Sequence, residues 1–328
     1  MVRFGVIGTN WITDQLLESV GGIPDFVLSA VYSRTEQRAV EFAKKYGVHT
    51  IFTNLEEMAE SDEIDAVYIA SPNSFHAQQG ILFLNNGKHV LCEKPLASNT
   101  AELELMFQAA RKNQVVLMEA LKTTLLPNFQ SIQDNLHKIG KVRRYFASFC
   151  KYSSRYDAYR QGTVLNAFNP AFSNGSLMDL GVYCIYPMVV LFGEPDRLKA
   201  ESLMLESGVD GEGSLLLHYG SMDAVIMHSK ITNSYLPAEI HGEDGTIIID
   251  QISVPEKVEI RYKNGEREII SRTQDHPAMH YQVQEFIDLI KTGKTESQIN
   301  SYHRSRITAQ IVEEARKQTG IIYPADKR

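Results

Sequence analysis

Two short stretches carry residue types that could move a proton. Glu93-Lys94-Pro95 sets a lysine between an acid and a proline, and Asp179 stands four residues ahead of Tyr183. Lysine and tyrosine both titrate near about 10, so either becomes a base at neutral pH only when its surroundings lower that value. Lys94 follows an apolar run at 89–92 and precedes a helical pattern that begins after Asn99, with Glu102 placed as its capping partner. A loop that leaves a strand and opens a helix sits at the carboxyl edge of a parallel sheet, where open α/β folds bind ligands. Pro95 restricts the backbone just behind the lysine. Asp179 and Tyr183, at i and i+4, share one face of a helix. Gly181 between them destabilises a helix by about 1 kcal/mol relative to alanine, which implies a close approach of another group to the backbone there. Each stretch also has a plainer reading: a solvated loop lysine, and a core helix with one capped aspartate and one packed tyrosine.

The elements that must position these residues follow from hydrophobic period. Residues 2–7 form an apolar strand that ends at Gly8-Thr9-Asn10-Trp11-Ile12-Thr13, and a helical pattern continues through Leu16, Leu17 and Val20. Strand, tight turn and helix are the setting of the dinucleotide fingerprint G-x-G-x-x-G. Gly8 supplies its first glycine, while Asn10 and Thr13 occupy the second and third positions. Asparagine tolerates left-handed backbone, although its side chain crowds the approach of a pyrophosphate. Further strands at 26–32, 50–52, 66–70, 89–92 and 115–118 alternate with helices, which predicts a doubly wound parallel sheet. Beyond Leu121 the pattern changes. A helix near 128–138 leads to an aromatic strand at 141–153 and a polar loop at 154–173, whose Arg155, Tyr156, Tyr159, Arg160 and Asn169 are candidates for substrate contact. An apolar helix at 177–192 follows, then short alternating strands from 197 to 272 and closing helices at 280–291 and 303–319. The chain is therefore read as α/β, with one domain over 1–121 and a second α+β domain over 122–328 built on an open, largely antiparallel sheet.

Composition narrows the function classes. A length of 328 residues suits two domains, and the formal charge of −7 with no dense Lys/Arg block argues against nucleic acid. No apolar run of membrane-spanning length is expected, and Met1-Val-Arg-Phe-Gly enters a strand directly instead of forming a signal sequence. Cys92, Cys150 and Cys184 are far apart in apolar sequence and read as core residues, which points to a reducing, cytoplasmic setting. His276 and His280 are spaced i, i+4, but Pro277 interrupts the helix and no glutamate completes a zinc motif, so a capping or core role is expected.

Gly5-Val-Ile-Gly8, Ser71-Pro72-Asn73 with His76, Glu93-Lys94-Pro95 and Gly175-Ser-Leu-Met-Asp-Leu-Gly-Val-Tyr183 together resemble the Gfo/Idh/MocA oxidoreductases over essentially the whole chain. Tyr183, where many relatives carry histidine, together with Trp11 and Met118-Glu-Ala120, is similar to the branch of glucose–fructose oxidoreductase and the dihydrodiol (D-xylose) dehydrogenases. The resemblance implies an N-terminal Rossmann domain and a C-terminal sheet that commonly forms a homodimer or higher homo-oligomer. A closing helix at 303–328 could return to the first domain. It also implies hydride transfer between a nicotinamide and a carbon of a sugar, polyol or cyclic diol. Asn10, Thr13 and Ser173-Asn174-Gly175, the last standing where relatives often have three glycines, depart from the family pattern. A non-catalytic NAD(P)-sensing protein and an NAD-dependent glycosidase share the fold and are the alternatives; intact Lys94, Asp179 and Tyr183 favour the dehydrogenase.

Within that reading the roles can be argued. Alcohol oxidation needs a base at the hydroxyl as hydride leaves. Lys94, Tyr183 and a cationic nicotinamide in one desolvated pocket would push both pKa values down. Tyr183 is assigned the proton and Lys94 the reacting oxygen, the reverse assignment being nearly as good. Asp179 orients a substrate hydroxyl or Lys94. The resemblance assigns Ser71, Pro72, Asn73, His76 and Glu93 to the ribose and nicotinamide side of the cofactor, and Gly8, Thr9, Asn10, Trp11 and Ile12 to its phosphate loop. NADP is favoured over NAD, because Tyr32-Ser33-Arg34-Thr35 lacks the carboxylate that binds both ribose hydroxyls. Ser33 can donate to a 2′-phosphate, Arg34 can stack on adenine and pair with that phosphate, and Arg38 lies one helical turn on.

Overall fold

A computed structural model describes residues 1–327. The chain divides into two compact units: Met1–Leu121 with His276–Tyr302, and Lys122–Asp275 with the stretch from His303 on.

The first unit runs β1 (Val2–Ile7), α1 (Trp11–Ser19), β2 (Phe26–Tyr32), α2 (Glu36–Lys45), β3 (Thr50–Phe52), α3 (Leu55–Glu60), β4 (Ala66–Ile69), α4 (His76–Asn85), β5 (His89–Glu93), α5 (Thr100–Asn113) and β6 (Leu117–Ala120). Its six strands are all parallel, in the order β3-β2-β1-β4-β5-β6. Val6 is in register with Val31 on one side and Tyr68 on the other. Val6, Val31, Tyr68, Val67 and Leu91 are all buried, as strands covered on both faces require. The order reverses between β1 and β4, so the loops after these strands meet at the sheet's carboxyl edge. Strand β6 begins two residues later than its apolar run suggests. Gln114 closes α5 in the left-handed conformation, with φ 55°, and Val115 then donates to the Ala110 carbonyl.

The second unit contains α6 (Pro127–Asn135), β7 (Val142–Cys150), α7 (Arg155–Arg160), α8 (Val182–Phe192), β8 (Arg197–Met204), β9 (Asp210–Tyr219), β10 (Met222–Ser229), β11 (Ala238–Gly242), β12 (Gly245–Ile249), β13 (Val258–Tyr262) and β14 (Arg267–Ile269). Its eight strands run β14-β13-β12-β11-β7-β10-β9-β8, antiparallel except where β10 meets β7. Period-two burial places Tyr145, Ala147, Leu217, Ala224, Ile226 and Ile240 inside. Helix α8 packs on that face, and the Tyr145 hydroxyl donates to the Cys184 carbonyl at 2.9 Å. The stretch Pro170–Phe192 is long and apolar enough by composition to cross a membrane, contrary to the sequence expectation. In its most apolar window 72 % is buried inside the fold, as in a core helix.

The sequence offers 303–328 as the segment that returns to the first unit; the structure returns His276–Tyr302 instead. Within it, α9 (Ala278–Lys291) buries Met279, Val283, Phe286 and Ile287, and the Phe286 ring lies 5.8 Å from that of Phe4. Truncating such a buried phenylalanine typically costs about 3–5 kcal/mol. Asn300 donates to the carbonyls of Glu119 and Leu121 at 3.1 and 3.0 Å. Beyond it, α10 (Tyr302–Thr319) sends Ser305 to Tyr186 and Gln318 to the edge strand β8. Both helices are amphipathic, so periodicity alone could not tell which would return.

Candidate active site

The candidate residues fall into one set in each unit. In the first unit Gly8 has φ +104°, and a β-carbon there would overlap the Ala70 carbonyl, so only glycine fits. Asn10 is extended, with φ −126°, not left-handed as its position in the fingerprint suggested. It caps α1 by accepting from the Ile12 N–H at 2.9 Å and donates to the Ala70 carbonyl at 2.8 Å. The Thr13 hydroxyl donates to the Gly8 carbonyl. Asparagine and threonine thus replace two glycines by bonding to the loop they might have crowded. Arg38 clamps the same loop, reaching the Thr9 carbonyl at 2.6 Å and its hydroxyl at 3.1 Å. Trp11 and Arg34 are exposed, and Ile12 and Ser33 half-buried. With no carboxylate at the end of β2 and a capped helix start, these residues fit a phosphorylated dinucleotide.

Ser71, Pro72 and Asn73 are half-buried in the loop after β4, with the Ser71 hydroxyl on Gln79 at 2.6 Å. His76, expected on the cofactor's side, has a fully buried ring. Its Nδ1 and Nε2 each lie 2.9 Å from a backbone carbonyl, of Pro95 and Ser71 respectively. Burial pulls the imidazole's pKa below its ordinary value, the two carbonyls pulling it the other way. Glu93 is likewise only 8 % exposed and accepts from the Tyr68 hydroxyl at 2.7 Å. Glu119, also buried, accepts the Leu96 N–H at 3.1 Å. Asn99 caps α5 through the Glu102 N–H, and Glu102 reaches back to the Ser98 N–H at 3.1 Å. Lys94, half-buried and joined to Pro95 by a cis peptide, is held between these fixed points.

In the second unit the residues around Asp179 form a π-helical turn, Leu177–Gly181, that runs into α8. Such turns are rare and frequent at functional sites. Leu177, Met178, Gly181 and Val182 are buried, while Asp179 and Tyr183 are half-exposed on the open side. The groups that pack against Gly181 are the Leu177 side chain and the His228 imidazole, 2.9 and 3.2 Å from where a β-carbon would stand. Ser173 has φ +52° and Gly175 φ +144°, so the turn uses left-handed backbone where relatives often have glycine. The Tyr183 ring meets Phe149 edge-on at 5.5 Å. Arg155, Tyr156, Tyr159 and Arg160 belong to α7, and Tyr156 and Tyr159 stack with each other and pack on Phe168. His276 and His280 stack at 3.9 Å, and His280 Nδ1 lies 3.2 Å from the Ser19 carbonyl.

Sequence reasoning missed the polar residues beneath this turn. Asp210, fully buried, accepts the Leu177 N–H at 2.6 Å. Burial pushes its carboxyl up to about 6, against the pull of that N–H and of Lys230. His228 Nδ1 lies 2.9 Å from the Ser176 hydroxyl and 3.7 Å from Asp210, and burial pulls its pKa down to about 3. Lys230 lies 2.9 Å from Asp179 Oδ2, and the Tyr323 hydroxyl donates to the Asn174 carbonyl at 3.0 Å. A signal was present: His228 and Lys230 are two apart, at the end of a strand whose alternate positions Ala224 and Ile226 face the core.

Residues 2–121 match the model of the GFO/IDH/MocA oxidoreductase family with its NAD-binding Rossmann fold, and residues 135–248 the family's C-terminal domain. The chain is 62 % identical over 327 residues to the scyllo-inositol 2-dehydrogenase (NADP(+)) IolU of Bacillus subtilis (strain 168), covering 100 % of each. It is 29 % identical to trans-1,2-dihydrobenzene-1,2-diol dehydrogenase of Mus musculus, over 100 % of this chain and 99 % of that one. Among solved structures, KijD10, a 3-ketoreductase from Actinomadura kijaniata in complex with NADP and TDP-benzene, has the same fold. It superposes with a TM-score of 0.85 at 24 % identity, over 97 % of this chain and 98 % of that one. The chain belongs to the Gfo/Idh/MocA family of oxidoreductases.

Proposed function

We propose that the protein is an NADP-dependent dehydrogenase that oxidises one CH–OH of a cyclic polyol of the inositol type. The observation that carries this reading is full-length identity of 62 % to an NADP(+)-dependent scyllo-inositol dehydrogenase. Retention of Lys94, Asp179 and Tyr183 supports it. Ser33 and Arg34, at the end of β2 with no carboxylate between Tyr32 and Glu36, support NADP over NAD. When bound, the nicotinamide supplies the hydride acceptor. The chain's own residues handle the proton and the orientation. Tyr183 takes the proton of the reacting hydroxyl while Lys94 holds that oxygen, or the two exchange roles. Asp179 accepts a hydrogen bond from a second hydroxyl and so fixes which carbon reacts. Gly8, Thr9, Asn10, Trp11 and Ile12 hold the phosphates, and Ser71, Pro72 and Asn73 the nicotinamide side. His76 and Glu93 support that side from behind.

The same reading places the enzyme in the cytoplasm as a homodimer or larger homo-oligomer through its C-terminal sheet. Leu216, 53 % exposed, is in register with Val225 on the sheet's outer face, and Leu203 and Met204 are exposed on the edge strand. Light scattering tests the assembly, and a monomer at working concentration removes that part. Function is tested by a panel of inositol stereoisomers, aldoses and cyclic diols with NADP or NAD, followed by nicotinamide absorbance. NADP-linked turnover of a cyclic polyol is the expected result. Tight NADP binding with no turnover of any of them would favour the cofactor-sensing alternative.

A further inference from the structure

We infer that Lys230 is the positioning residue for Asp179, fixing the carboxylate that meets a polyol hydroxyl and tying it to the aromatic loop before the functional helix. This inference rests on the dehydrogenase reading above. The Lys230 side chain is 3 % exposed, in contrast to the solvated position usual for lysine. Its backbone is pinned on both sides, donating to Gly211 and accepting from Ser153, each at 2.8 Å. The ammonium has three protons, and three acceptors surround it: Asp179 Oδ2 at 2.9 Å, the Ala167 carbonyl at 3.0 Å and Asn174 Oδ1 at 3.1 Å. The Phe168 ring lies 5.3 Å from it.

Two consequences follow from this count. With every proton committed, Lys230 is not itself a substrate ligand; it acts through the groups it holds. Those groups come from three separate segments: the turn Asn166–Phe168, the bend before the π-helical turn, and that turn itself. One ammonium therefore sets the distance between the aromatic loop and the Asp179 carboxylate. An ammonium 2.9 Å from Oδ2 also presents the carboxylate to a hydroxyl as an acceptor of hydrogen bonds. Asp179 keeps 36 % of its side chain exposed.

The test is a double-mutant cycle with Lys230→Gln, Lys230→Met and Asp179→Asn. Lys230→Gln should lower kcat/KM for the polyol about 100-fold, the scale of a misplaced orienting group, while KM for NADP stays at the parent value. In the Asp179→Asn background the same substitution should change kcat/KM by less than about threefold, because the two act as one unit. A folded Lys230→Gln enzyme with parental kcat/KM, or a full loss that persists without Asp179, would overturn the inference. The same cycle read by melting temperature needs no turnover. Lys230→Met with Asp179→Asn should melt higher than the sum of the single losses implies, and additive losses would refute the pairing. If the parent oxidises no polyol, the functional reading fails, and the melting cycle still decides whether Lys230 holds Asp179.

Discussion

His76 and His228 are both fully buried and both have pKa values lowered by burial, yet they support their units differently. His76 sits between two main-chain carbonyls, those of Ser71 and Pro95, and a neutral imidazole has one N–H to donate to them. Asn10 on Ala70 and Glu119 on Leu96 do the same kind of work, each linking a side chain to a neighbouring loop's backbone. His228 instead lies beside the ionisable Asp210 and the Ser176 hydroxyl, next to the pair Lys230–Asp179. The first unit presents backbone to a dinucleotide, so what must be fixed there is the path of the chain. The second unit presents a carboxylate and a phenol, so what must be fixed is a side chain and its charge. A buried carboxylate and imidazole whose folded pKa values move in opposite directions make the second unit's stability depend on pH.

The comparison can be broken at several points. The largest effect is expected from Lys94→Met, which removes chemistry but none of the backbone pins described around it. Turnover should fall at least about 100-fold, while NADP binding, followed by fluorescence of the single Trp11, stays near parental; near-parental turnover would reject the assignment. Next is His76→Leu, which removes the one N–H that a neutral imidazole offers these carbonyls. A loss of about 1–3 kcal/mol is expected in denaturant unfolding, with weaker NADP binding; unchanged binding would mean that the loop path does not depend on this ring.

Asp210→Asn sharpens the contrast through pH. Asp210's folded pKa, about 6, exceeds its ordinary 3.8, so its contribution to stability falls as pH rises through that window. His228's folded pKa, about 3, lies below its ordinary 6.5, so its contribution rises with pH over nearly the same range. The two slopes oppose each other in the parent. Asparagine keeps an acceptor for the Leu177 N–H but removes one slope, so the variant should lose about 2–3 kcal/mol more than the parent on acidification across that window. Equal losses in pH-dependent melts would show that the two groups do not offset each other. The smallest effect concerns Arg34→Ala, which should weaken NADP about tenfold and leave NAD nearly unchanged, as expected for one charge-assisted contact. Equal weakening of both would remove Arg34 from the 2′-phosphate.

Much of this was legible in residue order because it depends on local pattern. Alternating apolar runs and helices predicted the parallel sheet, and Asn99 with Glu102 predicted the start of α5. Other features were not legible. The loop at 154–173 contains α7, a helix too short to show a period. Asn10 looked like a poor substitute for glycine, because its bond to Ala70 spans 60 positions. That His76 and Glu93 are buried was not legible either, because motif spacing gives the turn on which a side chain sits and not the direction it takes.

The sequence by itself determined the family and the two patterns of secondary structure, and it offered Lys94, Asp179 and Tyr183 as candidates for the chemistry, with no carboxylate after β2 to select NAD. Those are properties of short windows, where residue type and spacing act directly. Tertiary structure alone decided which polar groups lie buried beneath Asp179, and that a π-helical turn and not an α-helix presents it. Asp210, His228 and Lys230 reach that turn from β9 and the end of β10, through sheet pairing that no local window encodes. Their charges matter only once burial has removed the water that would have screened them.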